Sequence, residues 1–182
     1  MHKVIAIVGP SGVGKSTLAN NLRLKNGAHR LAIADGVRSV AGMAYGRGTV
    51  LKDYRYDIGG YDLSGRGVLQ QVGAKLREFD PDFWLNILDD KISRLHDSSL
   101  IVIEDVRLTR EAIHLATKYE TSLVKLTASP EVRASRTQIT GAQDITEIEW
   151  EYVVADLTID TDQVDPVNVH QIVEAELELI DA

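Results

Sequence analysis

Lys15 and Ser16 close the run Gly9-Pro10-Ser11-Gly12-Val13-Gly14-Lys15-Ser16-Thr17, which fits the phosphate-binding pattern G-x-x-x-x-G-K-[ST]. Glycines at this spacing let successive main-chain N–H groups turn inward at an anion, beside a helix start whose dipole also favours negative charge. The pattern predicts that Gly12, Val13, Gly14, Lys15, Ser16 and Thr17 cradle the phosphates of ATP. Lys15 would reach the β- and γ-phosphates, and the Ser16 hydroxyl would ligate Mg2+.

Other charged residues fall where strands give way to loops or helices. Asp105 follows the apolar run Leu100-Ile101-Val102-Ile103, a position from which a carboxylate can hold Mg2+ directly or through water. Asp35 follows Leu31-Ala32-Ile33-Ala34, read as a second strand, and is expected to orient or deprotonate an acceptor or to assist the metal. Arg38, Arg66, Arg77 and Arg107 lie at or just beyond places where such a fold faces its ligand. Phosphoryl transfer is mainly positioning plus charge neutralisation, so a second phosphate needs its own arginines, bidentate by preference. Arg133 and Arg136 share a helix face ahead of the stretch 137–144. They read as lid arginines that close over the transferring group and exclude water. Gln70 and Gln71 offer both donor and acceptor to a base edge. Phe83 and Trp84 read as core, and the scattered histidines show no metal-ligand spacing.

The elements that must carry these residues follow from hydrophobic period. Val4-Ile5-Ala6-Ile7-Val8 is a continuous apolar run, as in a central parallel strand, and Leu18 with Leu22 gives the next helix its buried stripe. A helix is expected over 36–45, then an irregular stretch over 46–65. The helix over 66–79 sets Val68, Leu69, Val72 and Leu76 on one face and Arg66, Gln70, Gly73 and Arg77 on its neighbour. Asp80-Pro81 reads as a helix start. Further strands are expected at 100–103, 122–126 and 157–160. Further helices are expected over 109–119, from Ser129-Pro130, behind a capping box Thr146-x-x-Glu149, and over 167–180. This alternation predicts an α/β fold with a five-stranded parallel sheet, helices on both faces, and the ligand at the carboxyl ends of the strands.

With 182 residues, 44% hydrophobic and 26% charged, the chain has the composition of one globular domain. It has no cysteine, which excludes disulfides and thiolate metal sites. No apolar run approaches the roughly 20 residues that cross a bilayer. The N-terminal run is too short for a signal peptide, so a soluble cytoplasmic protein without membrane partners is expected. A net charge of −7 with no basic run disfavours a polymeric nucleic-acid partner.

Several segments together resemble the bacteriophage deoxynucleoside monophosphate kinases, in order over nearly the whole chain. They are the phosphate loop, Leu69-Gln70-Gln71-Val72-Gly73 between Arg66 and Arg77, Asp82-Phe83-Trp84, Glu104-Asp105-Val106-Arg107 with Glu111, and Asp144-Ile145-Thr146-Glu147. The resemblance implies transfer of the ATP γ-phosphoryl group to a deoxynucleoside monophosphate, in host cytoplasm if the chain is phage-encoded. It implies a monophosphate-binding insertion over about 36–96 and a helical lid over about 130–146. Arg66, Gln70, Arg77 and Arg107 then line the monophosphate site and Arg133 and Arg136 belong to the lid, while Asp35 and Arg38 are expected at the substrate from their own positions in the sequence. The chain departs from the family at Asp160-Thr161-Asp162, where members often carry an Asn-Asp-Gly-like turn. Dephospho-coenzyme A kinase and guanylate kinase share the loop and remain alternatives. A nucleotide-dependent switch is the rival from another class, although no asparagine opens the Asn-Lys-x-Asp guanine-reading pattern. Dimerisation stays open at this level.

Overall fold

The apolar run after His2 forms β1 (Lys3–Val8), and every residue from Val4 to Val8 is buried, as a strand covered on both faces requires. The computed structural model describes residues 2–45, 54–97, 99–136, 148–165 and 167–179. After β1 come α1 (Lys15–Asn26) and β2 (His29–Leu31). Next are α2 (Ile33–Ala44), the strands β3 (Arg55–Ile58) and β4 (Tyr61–Ser64), and the helices α3 (Gly65–Phe79) and α4 (Phe83–Ser93). The chain then runs through β5 (Leu100–Val106), α5 (Thr109–Lys118), β6 (Glu120–Thr127), α6 (Pro130–Arg136), β7 (Leu157–Asp160) and α7 (Val169–Glu176). It divides into two compact units, Met1–Leu31 with Leu95–Ala182, and Ala32–Arg94.

The first unit holds a five-stranded parallel sheet in the order β2-β5-β1-β6-β7, as the alternation of elements predicts. From β1 the chain crosses one way to β2, and from β5 it crosses the other way to β6. Right-handed crossovers therefore put α1 and α5 on opposite faces. Leu18, Ala19 and Leu22 of α1 pack with Val169 and Val173 of α7 over Ile5, Ile7, Val102, Val124 and Leu126. The loops leaving the adjacent strands β1 and β5 thus diverge, which opens a crevice at their carboxyl ends. In register, Ala6 stands beside Ile103 but Val8 stands beside Val106, so β5 carries one extra residue there. That bulge falls at Glu104-Asp105, which are half-buried between buried neighbours.

The second unit, Ala32–Arg94, packs α2 against α3 and α4. Three sequence expectations fail here. Residues 32–35 do not continue a strand: α2 starts at Ile33, and Asp35 lies in its first turn. A short apolar run such as Ala32-Ile33-Ala34 suits either a strand or a buried helix start. The part of the expected irregular stretch that is described is an antiparallel hairpin, β3 with β4, turning at Gly59 and Gly60. Their φ angles of +61° and +81° are those of a two-residue turn that needs glycine. Across the hairpin, hydrogen bonding from Arg55 holds the exposed Asp62 carboxyl below its usual range. The expected N-cap at Asp80 is also displaced. Asp80 ends α3, its carboxylate accepts from Asp82 N, and α4 begins at Phe83.

Trp84 is 2% exposed and donates Nε1–H to the Gly73 carbonyl at 2.9 Å, which fixes α4 to α3. Phe83 lies edge-on to it with ring centroids 4.8 Å apart. Replacing Trp84 by Phe removes that hydrogen bond and part of a fully buried ring, so denaturant unfolding should show a loss of about 1–3 kcal/mol. An unchanged midpoint would contradict this role for the indole.

Candidate functional site

Gly9, Gly12 and Gly14 have φ angles of +144°, +86° and +96°, so the loop after β1 curls in a way side chains oppose. The turn ends on α1, whose N-cap is Gly14. No side chain caps that helix start and no acidic residue occupies its first turn. Main-chain N–H groups of a first turn have no intrahelical partner, so this end is built to receive an anion. Lys15 is 9% exposed and folds back over the loop, its Nζ donating to the carbonyls of Gly9 at 2.7 Å and Pro10 at 2.6 Å. Ser16 is exposed on the first turn. This donor-rich, acid-free cradle suits a triphosphate.

Asp105 lies on the bulge of β5, the strand beside β1. Among the described residues no group of three or more His, Cys, Asp or Glu could hold a metal by itself. A cation such as Mg2+ keeps waters and takes phosphate oxygens beside one or two protein ligands, so it needs no such group. Ser16 and Asp105 are the residues that would hold it. Arg107 follows β5 directly, and its backbone N–H, with that of Leu108, donates to the buried Glu111 carboxylate at 2.9 and 3.0 Å. Glu111 thereby caps α5 and fixes the turn that carries Arg107. Thr109 N–H donates to Glu149 Oε1. Glu149 begins only a single 3₁₀ turn, Glu149–Tyr152, not the longer helix expected behind a capping box. Thr146, the other half of that box, lies outside the described residues.

At this end of the sheet lies an ion pair with no local signature in the sequence. Arg30 of β2 donates Nη2 to both oxygens of Glu104 at 2.6 and 2.7 Å, and Nη1 to Asn20 Oδ1 of α1 at 2.7 Å. The only available signal was the strand boundary. A strand taken to begin at Leu31 leaves Arg30 out, whereas one including it aligns Arg30 with Val102 and puts Glu104 on the same face.

The arginines of α6 are placed unequally. Arg136 donates Nη1 to Thr161 Oγ1 and Nη2 to the Thr161 carbonyl, both at 2.9 Å. Arg133 is half-buried, and its Nε has no hydrogen-bond partner among the described residues. Asp162 accepts from Ser129 N–H, so the turn after β7 caps α6. The expected lid beyond Arg136, residues 137–146, lies outside the described residues, as do 46–53 of the expected irregular stretch.

In the second unit, Arg38 and Asp35 pair at 2.7 Å on α2, each with about two-fifths of its side chain exposed. Arg66 and Gln70 are exposed on α3 and Arg77 is half-buried. Gly73 shares their face and turns it toward α2, since a Cβ there would stand 3.7 Å from Val37. Arg66 and Arg77 are three turns apart, about 16 Å along the axis, too far for one phosphate to bridge both backbones closely.

Residues 5–153 match the AAA domain family. No curated protein sequence matches the chain. Among solved structures the fold resembles shikimate kinase from Aquifex aeolicus, with 17% identity, TM-score 0.58 and 96% of each chain covered. It also resembles Acinetobacter baumannii shikimate kinase in complex with shikimate, with 17% identity, TM-score 0.57, 98% of this chain and 95% of that one. A Thermus thermophilus protein gives 17% identity, TM-score 0.61 and full coverage of both chains. At this identity the likeness is one of fold. Among the described residues no helix is long and apolar enough to cross a membrane.

A Cβ on residue 9 would lie 2.3 Å from the Leu126 carbonyl oxygen, at a φ that side chains rarely adopt. Gly9→Ala should therefore lower stability by roughly 1–3 kcal/mol and weaken ATP binding, read by thermal melting with and without nucleotide. A variant that melts and binds as the parent does would show that the loop can lift off β6 at no cost.

Proposed function

We propose, from the premise that this chain belongs to the AAA domain family, that it transfers the γ-phosphoryl group of ATP to a nucleoside monophosphate. The observation that carries this reading is a second set of cations, Arg38, Arg66 and Arg77, on the packed helices α2 and α3, well apart in sequence from the phosphate loop. One phosphate-binding loop serves ATP. A separate guanidinium set with an amide, Gln70, suits an acceptor that is itself a phosphate ester with a base to recognise. The resemblance to bacteriophage deoxynucleoside monophosphate kinases supports deoxyribose acceptors in particular.

An oxygen of the acceptor phosphate forms a bond to the γ-phosphorus as the bond to the β–γ bridging oxygen breaks, leaving ADP and a nucleoside diphosphate. That oxygen is ionised at neutral pH, so the residues' main work is positioning and neutralisation. Loop N–H groups and Lys15 hold the donor phosphates. To meet them, the Lys15 ammonium exchanges the Gly9 and Pro10 carbonyls for phosphate oxygens. Ser16 and Asp105 would hold Mg2+, which supplies charge neutralisation on those oxygens. Arg38 can leave Asp35 for a phosphate because the pair is half-exposed. Arg107 would complete the acceptor set, and Arg133, whose Nε has no hydrogen-bond partner among the described residues, would be the α6 cation for the transferring group. Arg136 reaches it only by leaving Thr161.

With Mg2+-ATP, a deoxynucleoside monophosphate should release ADP well above the basal rate, and Lys15→Ala should lower kcat by about 100-fold or more. Stimulation by shikimate alone, or by no acceptor offered, would overturn the reading. Arg77→Ala should raise KM for the monophosphate several-fold while leaving KM for ATP near the parent value. Equal changes in both would remove Arg77 from the acceptor site.

A further inference from the structure

We infer that Arg30 is a positioning residue for the metal–nucleotide complex: its two-pronged grip on Glu104 sets the β5 bulge so that Asp105 is presented to the cation. This rests on the reading of Ser16 and Asp105 as the cation's protein ligands. Glu104 and Asp105 are consecutive acids at the point where β5 carries its extra residue against β1. A bulge is a local disruption of the ladder, so something other than strand pairing must fix which of two adjacent side chains turns which way. Arg30 supplies that constraint. Its Nη2 meets both Glu104 oxygens at 2.6 and 2.7 Å, while Nη1 is anchored 2.7 Å from Asn20 Oδ1 on α1.

The consequences are geometric and electrostatic together. The side chains are 29% exposed for Arg30 and 16% for Glu104, so the pair is shielded enough for its charges to matter. With both oxygens engaged, Glu104 is removed as a competing ligand and its charge is cancelled. Asp105 is then the acid of the pair assigned to the cation, on the strand beside the one that hands over to the phosphate loop. The three elements involved are β2, α1 and β5, so the anchor ties the acid to the same helix whose first turn receives the phosphates. The planar fork is needed for this. A lysine at residue 30 keeps the charge but cannot hold two oxygens and the Asn20 amide in fixed directions.

Calorimetric titration of the full chain with ATP, in Mg2+ and separately in chelator without metal, tests the inference. The parent should bind ATP more tightly with Mg2+ than without. Arg30→Ala should weaken Mg2+-ATP binding about tenfold or more, the range for disturbing a residue that orients a metal ligand. Its metal-free ATP affinity should stay within about twofold, which also reports an intact loop. Arg30→Lys should fall between parent and Arg30→Ala. An equal loss with and without metal would make Arg30 merely structural, and an unchanged or tighter Mg2+-ATP affinity would free Glu104 as a ligand; either overturns the inference. A parent that binds ATP in neither condition would instead overturn the phosphate-loop reading beneath it.

Discussion

The chain passes so close to the end of β6 at residue 9 that a single Cβ would press 2.3 Å from the Leu126 carbonyl oxygen. That approach is open only to glycine, and everything at the phosphate end of the sheet depends on it. Because Gly9 sits down on β6, the loop can curl through Gly12 and Gly14 at positive φ and deliver its N–H groups to the start of α1. Lys15 follows as the first residue of that helix, and its ammonium bridges two carbonyls of the same loop. A buried cation on carbonyl oxygens is a modest arrangement. Charged phosphate oxygens make stronger, charge-assisted partners for it. The loop is thereby poised toward an anion rather than closed on itself.

Around that end of the sheet, acids and bases are held by side chains from distant parts of the sequence. Glu111 fixes the backbone of Arg107, Arg30 fixes Glu104, and Asp162 with Thr161 fixes both ends of α6. Each contact leaves a neighbouring functional group oriented while occupying a different one. Arg136 is spent on the turn after β7, whereas Arg133, one turn earlier, is not engaged through its Nε among the described residues. In the unit Ala32–Arg94, Arg66 and Arg77 lie apart along α3, with Gly73 between them on the side that meets Val37 of α2.

Contiguous features were legible in the sequence, and contacts across the fold were not. The run 9–17, the strand before it and the five-stranded parallel sheet follow from local pattern, because a buried parallel strand and a glycine-rich turn each leave a compact signature. Trp84 as core was equally readable from its helix. The hairpin at 55–64 was hidden because its strands are short and polar within a longer irregular stretch, although Gly59-Gly60 marked its turn. Asp35 was misplaced by the four-residue apolar run Leu31-Ala32-Ile33-Ala34, which suits either element. Glu149 was assigned to a local cap, but its carboxylate goes to Thr109, 40 residues away. Arg30 with Glu104 and Arg136 with Thr161 are likewise non-local, and no spacing rule reaches across separate elements.

The most direct test of this account follows the loop's own amides. In a titration of labelled protein with Mg2+-ATP, the backbone N–H resonances of Gly12, Val13, Gly14, Lys15, Ser16 and Thr17 should shift together and saturate as one site. Shifts confined to other parts of the chain, with those six amides unmoved at saturating nucleotide, would contradict it.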